Sequence, residues 1–138
     1  MTVVVDASVA IRWLFPVSRR TGADDLIRSG GPLIAPDLIV AEITNAAWKF
    51  VEFEGLPRAA ATTILAATAR GFDELVPSAT LTERALQIAI DLHHPAYDCF
   101  YLSLAEARQC QMVTADDRLR SRCAKTKYAK LIRPLTAP

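Results

Sequence analysis

Val3-Val4-Val5-Asp6-Ala7-Ser8 opens the chain with three β-branched residues, an acid and a change of period. No polar residue alternates with the valines, so the run predicts a short strand covered on both faces. Asp6 ends it, and from Ala7 to Leu14 the apolar spacing is helical. A buried strand that ends in an acid and turns directly into a helix is the start of a βα unit. In open parallel sheets, the edge at the C-terminal ends of the strands is where ligands bind.

The same alternation continues outward from that stretch. Short apolar runs bounded by turn residues predict strands at Pro32 to Ala35, Glu74 to Val76, Met112 to Thr114 and Leu131 to Ile132. Helical spacing predicts helices at Thr21 to Ser29, Leu38 to Glu54, Pro57 to Arg70, Leu81 to Leu92, Pro95 to Arg108 and Asp117 to Lys125. Gly55 and Gly71 stand where helix stops belong, and Pro57 and Pro95 where helix starts belong. Strands alternating with helices imply an α/β fold with a parallel sheet covered on both faces. At 138 residues, without repeat, linker or low-complexity tract, residues 1–138 are expected to form one domain.

Composition narrows the class. Hydrophobic residues make up 51% of the chain and charged ones 22%, with mean hydropathy +0.19, enough apolar material to exclude disorder. No uncharged stretch approaches the ~20 apolar residues of a membrane span, and the N-terminus shows neither a basic leader nor a signal-length apolar segment. Cys99, Cys110 and Cys123 are odd in number and widely spaced, which favours three reduced thiols. The expectation is a cytoplasmic protein without membrane contact. Net charge is +1, but the seven bases Arg118, Arg120, Arg122, Lys125, Lys127, Lys130 and Arg133 fall in the last 21 residues with no acid among them. That run is either a solvated surface or a phosphate-gripping face, for which Arg118, Arg120, Arg122 and Lys125 are the candidates.

Four acids are oddly placed. Asp6 and Asp116 each follow a strand, where they either cap the next helix or join a ligand site. Glu42 falls within the apolar stripe Leu38, Ile39, Ile43, Ala46, Ala47, Phe50 and Val51 of one helix. A buried carboxylate needs a cation, a metal or hydrogen bonds; the other possibility is a stripe-edge Glu that reaches water or pairs with an arginine. Asp98 has Tyr101, Leu102 and Ala105 on its helical face, and capping chemistry near a helix start is again open. If Asp6, Glu42, Asp98 and Asp116 converge, their repulsion requires compensation, and an all-oxygen set without His or Cys selects Mg²⁺ or Mn²⁺. Such a cation lowers the pKa of a bound water and neutralises charge developing on a phosphodiester, which is nuclease chemistry. Glycine-rich nucleotide-phosphate motifs and a nucleophilic-serine elbow are absent from the sequence. His93 and His94 are adjacent, splayed by about 100° if helical, and fit a helix end better than a paired-imidazole ribonuclease.

The motifs Val3-Val4-Val5-Asp6-Ala7-Ser8, Val40-Ala41-Glu42-Ile43, Tyr97-Asp98-Cys99-Phe100-Tyr101-Leu102-Ser103-Leu104-Ala105 and Val113-Thr114-Ala115-Asp116 resemble, in order and spacing, PIN domains of the VapC toxin family. The resemblance covers nearly the whole chain. It implies a three-layer PIN-like fold with a central parallel sheet of about five strands. It implies that Asp6, Glu42, Asp98 and Asp116 form the acidic site, Asp6 and Asp98 foremost as direct Mg²⁺ ligands. Ser8 and Thr114 match supporting hydroxyl positions beside them. Asp117 adjoins the Asp116 position and is its possible substitute, and Cys99 stands where such domains often carry Ala. The resemblance also implies an endoribonuclease acting on structured RNA such as transfer or ribosomal RNA, a cognate antitoxin partner and a homodimer. Trp13, Phe15, Trp48, Phe50 and Phe53 concentrate aromatic residues in the first half, mostly as core with one or two left for an interface. Three alternatives stand beside this reading. A Mg²⁺-dependent phosphatase would typically open with Asp-x-Asp where this chain has Asp6-Ala7-Ser8, a structure-specific DNA nuclease would be longer, and a non-catalytic RNA- or protein-binding module would tolerate loss of an acid.

Overall fold

The computed structural model describes residues 1–17 and 21–135. Five strands form one parallel sheet: β1 (Val3–Val5), β2 (Leu33–Pro36), β3 (Glu74–Val76), β4 (Gln111–Thr114) and β5 (Ile132–Pro134). Their order across the sheet is β3-β2-β1-β4-β5. The chain lays down β2 and β3 on one side of β1, then crosses back to place β4 and β5 on the other. The direction therefore reverses between β1 and β4, the position at which open α/β sheets form a ligand crevice.

Seven helices connect the strands among the described residues: α1 (Ala7–Leu14), α2 (Thr21–Arg28), α3 (Leu38–Glu54), α4 (Arg58–Thr68), α5 (Thr82–Leu92), α6 (Ala96–Ala107) and α7 (Asp117–Cys123). Right-handed crossovers put α1 to α4 on one face and α5 to α7 on the other, giving three layers. The expected α/β class and parallel sheet are what the chain forms. β1 and the middle of α6 are the most enclosed: Val4 and Val5 have no exposed surface, and Tyr101, Leu102 and Leu104 at most 1%. α6 packs across β1, β2 and β4, with α5 behind it.

Local chemistry sets where elements stop. Gly55 closes α3 in the left-handed region at φ 73°, its N–H donating to the Phe50 carbonyl. Gly71 serves a different purpose. It ends a short 3₁₀ turn after α4, and a Cβ there would stand 2.8 Å from Trp13 Cζ2, so the glycine provides room for the indole. That turn also ends α4 at Thr68, short of the expected Arg70. Pro57 and Pro95 occupy N-cap positions, one residue ahead of the helices they introduce. α7 ends at Cys123 and not Lys125, because the Ala124 and Thr126 N–H groups donate to carbonyls three residues back and tighten the backbone. β5 lies one to two residues later than expected. Leu131 ends a 3₁₀ turn, while Arg133 and Pro134 pair with Val113 and Thr114. A strand on the sheet edge tolerates the proline, which has no N–H to donate.

The start of α3 is braced against the neighbouring loop. Ser78 N–H donates to Asp37 Oδ1 at 2.9 Å, and Leu38 N–H donates to Ser78 Oγ at 3.0 Å. Asp37 N–H also donates to the Val76 carbonyl, so the first turn of α3 is tied to β3. This fixes the segment that carries Glu42.

Candidate active site

Asp6 leaves β1 and caps α1, its Oδ1 accepting from Val9 N–H at 3.1 Å. Capping does not exhaust its oxygens. Ser8 Oγ donates to Oδ1 at 2.6 Å and Thr114 Oγ1, from the end of β4, donates to Oδ2 at 2.5 Å. Each hydroxyl in turn accepts a backbone N–H from the β4 exit, Ala115 N–H on Ser8 Oγ and Asp116 N–H on Thr114 Oγ1, both at 2.9 Å. Two matched relays therefore run from the backbone after β4, through a hydroxyl, to one carboxylate after β1. The carboxylate is 6% exposed. Burial pushes its pKa up to about 6, against the three hydrogen bonds, with the Asp98 charge adding to the rise.

Glu42 projects from α3 and is half-buried, and among the described residues it pairs with no arginine. Tyr101 OH, from α6, donates to its Oε1 at 2.5 Å. Burial raises the Glu42 carboxyl, the Tyr101 bond opposes, and the charges of Asp98 and Asp6 raise it further. Tyr101 is 1% exposed, and its phenol is driven well above its ordinary range by burial and then by Glu42, Asp6 and Asp98 together. Asp98, in the first turn of α6, accepts from or pairs with His94 Nε2 at 2.7 Å. Three acids from three elements thus act on one another across the crevice. Asp116 joins through its backbone, by way of Thr114, while its side chain caps α7 on Arg118 N–H at 2.9 Å. For Asp6 and Asp116, the cap and the place at the strand edge prove compatible.

The donor set is all-oxygen and mutually repelling, and one carboxylate is buried with a raised pKa; that chemistry fits a hard divalent cation. As the side chains stand, each acid rests on a donor from the protein. Among the described residues no three His, Cys, Asp or Glu side chains are grouped tightly enough to hold an ion.

The sequence profile of the PIN domain matches residues 3–125, which include all four acids. The chain belongs to the PIN domain family. PAE2754 from Pyrobaculum aerophilum is 27% identical, superposes with TM-score 0.71, and is matched over 98% of this chain and 84% of that one. A toxin-antitoxin complex from Klebsiella pneumoniae (14% identical, TM-score 0.70, 99% of each chain) shares the fold. So does VapBC2 from Rickettsia felis bound to a DNA fragment from their promoter (13% identical, TM-score 0.68, 97% of this chain and 98% of that one). Comparison with curated proteins returns no match.

In this PIN domain the other expected site residues separate. Ser8 and Thr114 stand beside Asp6 as described. Asp117 does not turn toward the acids: it is 88% exposed and pairs with Arg120 at 2.9 Å. Arg118 and Arg122 line a cleft that opens on Asp98, Arg120 lines a different one behind α7, and Lys125 lies beyond the helix end. Cys99 is buried, with its thiol pushed up to about 12 by burial, and it is therefore inert at neutral pH. Tyr101 and His94 were not singled out by sequence as partners of acids. Tyr101 has the i+3 spacing from Asp98 that placed it on an apolar face, and hydropathy does not register a hydroxyl. His93 does end α5, at φ 52°, as its position implied, whereas His94 lies before α6 and turns back onto it.

Proposed function

We propose that this PIN domain is a Mg²⁺- or Mn²⁺-dependent endoribonuclease, cytoplasmic, and the toxin of a toxin-antitoxin pair that also forms homodimers. One observation carries the reading. A buried carboxylate, Asp6, stands at the crevice between β1 and β4, held on both oxygens by Ser8 and Thr114, with Glu42 and Asp98 bearing on its charge. Family membership favours nuclease chemistry for such a site, and two fold neighbours, a toxin-antitoxin complex and VapBC2, favour an antitoxin partner. No helix among the described residues is long and apolar enough to cross a membrane.

Asp6, Glu42, Asp98 and Asp116 would hold the cation. When bound, it supplies positive charge against the phosphodiester and Lewis acidity toward an attacking water. The protein's own contribution is orientation. Ser8 and Thr114 fix the Asp6 carboxylate in one rotamer, Tyr101 fixes Glu42, and burial between β1 and β4 keeps bulk water away from Asp6.

The test compares wild type with Asp6→Asn and Asp98→Asn on bulk transfer and ribosomal RNA, with Mg²⁺ or Mn²⁺ and with EDTA. Cleavage by metal-loaded wild type, lost in EDTA and reduced at least 100-fold in both variants, is the expected result. Cleavage that survives both substitutions overturns the acidic-site mechanism. RNA bound but uncut by all forms, after any co-purified antitoxin is removed, favours the non-catalytic binding module.

A further inference from the structure

We propose that the cleft between the start of α6 and the outer face of α7 is a phosphate subsite for the RNA strand, in which Arg118 and Arg122 are the gripping residues. This rests on the ribonuclease reading and says where the strand lies. The cleft has a volume of about 480 Å³, with His94 and Asp98 on one wall and Arg118, Ser121 and Arg122 on the other. It is of the size that binds small ligands, roughly 300–1,000 Å³. It also opens directly on Asp98, so a phosphate held there adjoins the acidic crevice.

The charges in the cleft are unequally committed. Asp98 is paired with His94 at 2.7 Å, and Asp117 on the rim is paired with Arg120 at 2.9 Å. Arg118 reaches Asp116 through Nε only at 3.8 Å, and its side chain is 90% exposed. Arg122 is exposed and has no ion pair among the described residues. Four residues apart on α7, the two guanidiniums project from one side of the helix. A phosphodiester approaching Asp6, Glu42 and Asp98 meets like charge, and on the Asp98 side of the crevice these two forks offset it. Guanidinium geometry matches phosphate oxygens in pairs, and the Ser121 hydroxyl adds a neutral donor. The basic run is thus not one face. Arg120 is turned to Asp117 and a separate cleft, and Lys125 belongs to neither.

The experiment measures binding of a fluorescent single-stranded RNA oligomer by anisotropy, in EDTA and across a salt series, with cleavage kinetics in Mg²⁺ as a second arm. Arg118→Ala/Arg122→Ala is compared with Arg120→Ala/Lys125→Ala and wild type. Loss of two phosphate contacts should flatten the logarithmic salt slope by about 1.4 and weaken binding about tenfold near physiological salt. KM should rise by a similar factor with kcat within threefold, and the second pair should stay within twofold of wild type. Equal losses in both pairs, or none in the first, overturn the subsite. If wild type cuts neither the oligomer nor bulk transfer and ribosomal RNA but the first pair alone weakens binding, the ribonuclease reading falls and the subsite stands. If wild type does not bind the oligomer, the subsite falls.

Discussion

Thr114 and Ser8 are small hydroxyls with two obligations each, and a methyl group meets neither. Thr114→Val keeps the shape of a fully buried side chain but strips one oxygen of Asp6 of its donor and leaves Asp116 N–H without an acceptor. The expected cost is about 2 kcal/mol in urea unfolding, typical of a buried polar group left unmatched. An unchanged midpoint would mean that water replaces the hydroxyl. Asp6 itself titrates near 6 when folded against an ordinary 3.8, so the folded chain binds the extra proton between those values. Its contribution to stability is complete below about 3.8 and is lost as pH rises through about 6. In EDTA, wild type should therefore lose on the order of 2–3 kcal/mol relative to Asp6→Asn between pH 4 and pH 8. Parallel stability curves would show that the carboxylate is better solvated than its burial indicates. Tyr101→Phe removes a single oxygen from a well-packed ring and releases Glu42. Far-UV circular dichroism should be unchanged, and Mg²⁺ affinity measured by calorimetry should fall several-fold.

Elements differ in how openly the sequence declares them. α3 was legible from Leu38 to Glu54 because an apolar stripe, a turn before it and Gly55 after it agree. β1 and β3 matched residue for residue, since each is a short run with a polar neighbour at both ends or a turn. β5 was misplaced because Arg133 and Pro134 do not resemble a strand; edge pairing with β4, a long-range contact, makes them one. The same limit hid half of the site. The acids were visible as polar residues in apolar company, while their partners were not: the Tyr101–Glu42 and Thr114–Asp6 bonds join residues 59 and 108 apart in sequence. Gly71 stands where a helix stop belongs, and what requires glycine there is the Trp13 ring that covers it. Gly71→Ala should cost about 1–3 kcal/mol from overpacking, whereas Gly30→Ala, with open space around its Cβ position and φ 78°, should show only backbone strain of about 1 kcal/mol. Thermal unfolding of the two variants checks the difference, and equal losses would remove the steric argument.

Across the whole molecule, charge is sorted by strand edge. Acids gather where the sheet reverses direction, and of the bases in the last segment Arg118 and Arg122 face them while Lys127 and Lys130 act on Glu106. Arg84 holds Glu106 through two nitrogens, at 2.6 and 2.9 Å, and Tyr128 OH donates to Asp91, so α5, α6 and the segment before β5 form one unit behind the crevice. A cation that relieves the acids should stabilise the folded state as a whole. The melting temperature should climb with Mg²⁺ or Mn²⁺ concentration, following mass action, and the climb should vanish in Asp6→Asn and Asp98→Asn. A melting temperature indifferent to metal in wild type would count against the acids as a cation site.

The two tryptophans sit in opposite surroundings. Trp13 lies half-buried against Phe72 with ring centroids 5.3 Å apart, while Trp48, edge-on to Phe53 on α3, is 52% exposed. Their emission should divide accordingly, one component blue and shielded from iodide, the other red and readily quenched. Replacing either with Phe assigns the two. Occupation of the outer face of α3 would then shift only the red component, whereas unfolding would shift both, so the chain carries its own optical means of telling a docked partner from a lost fold.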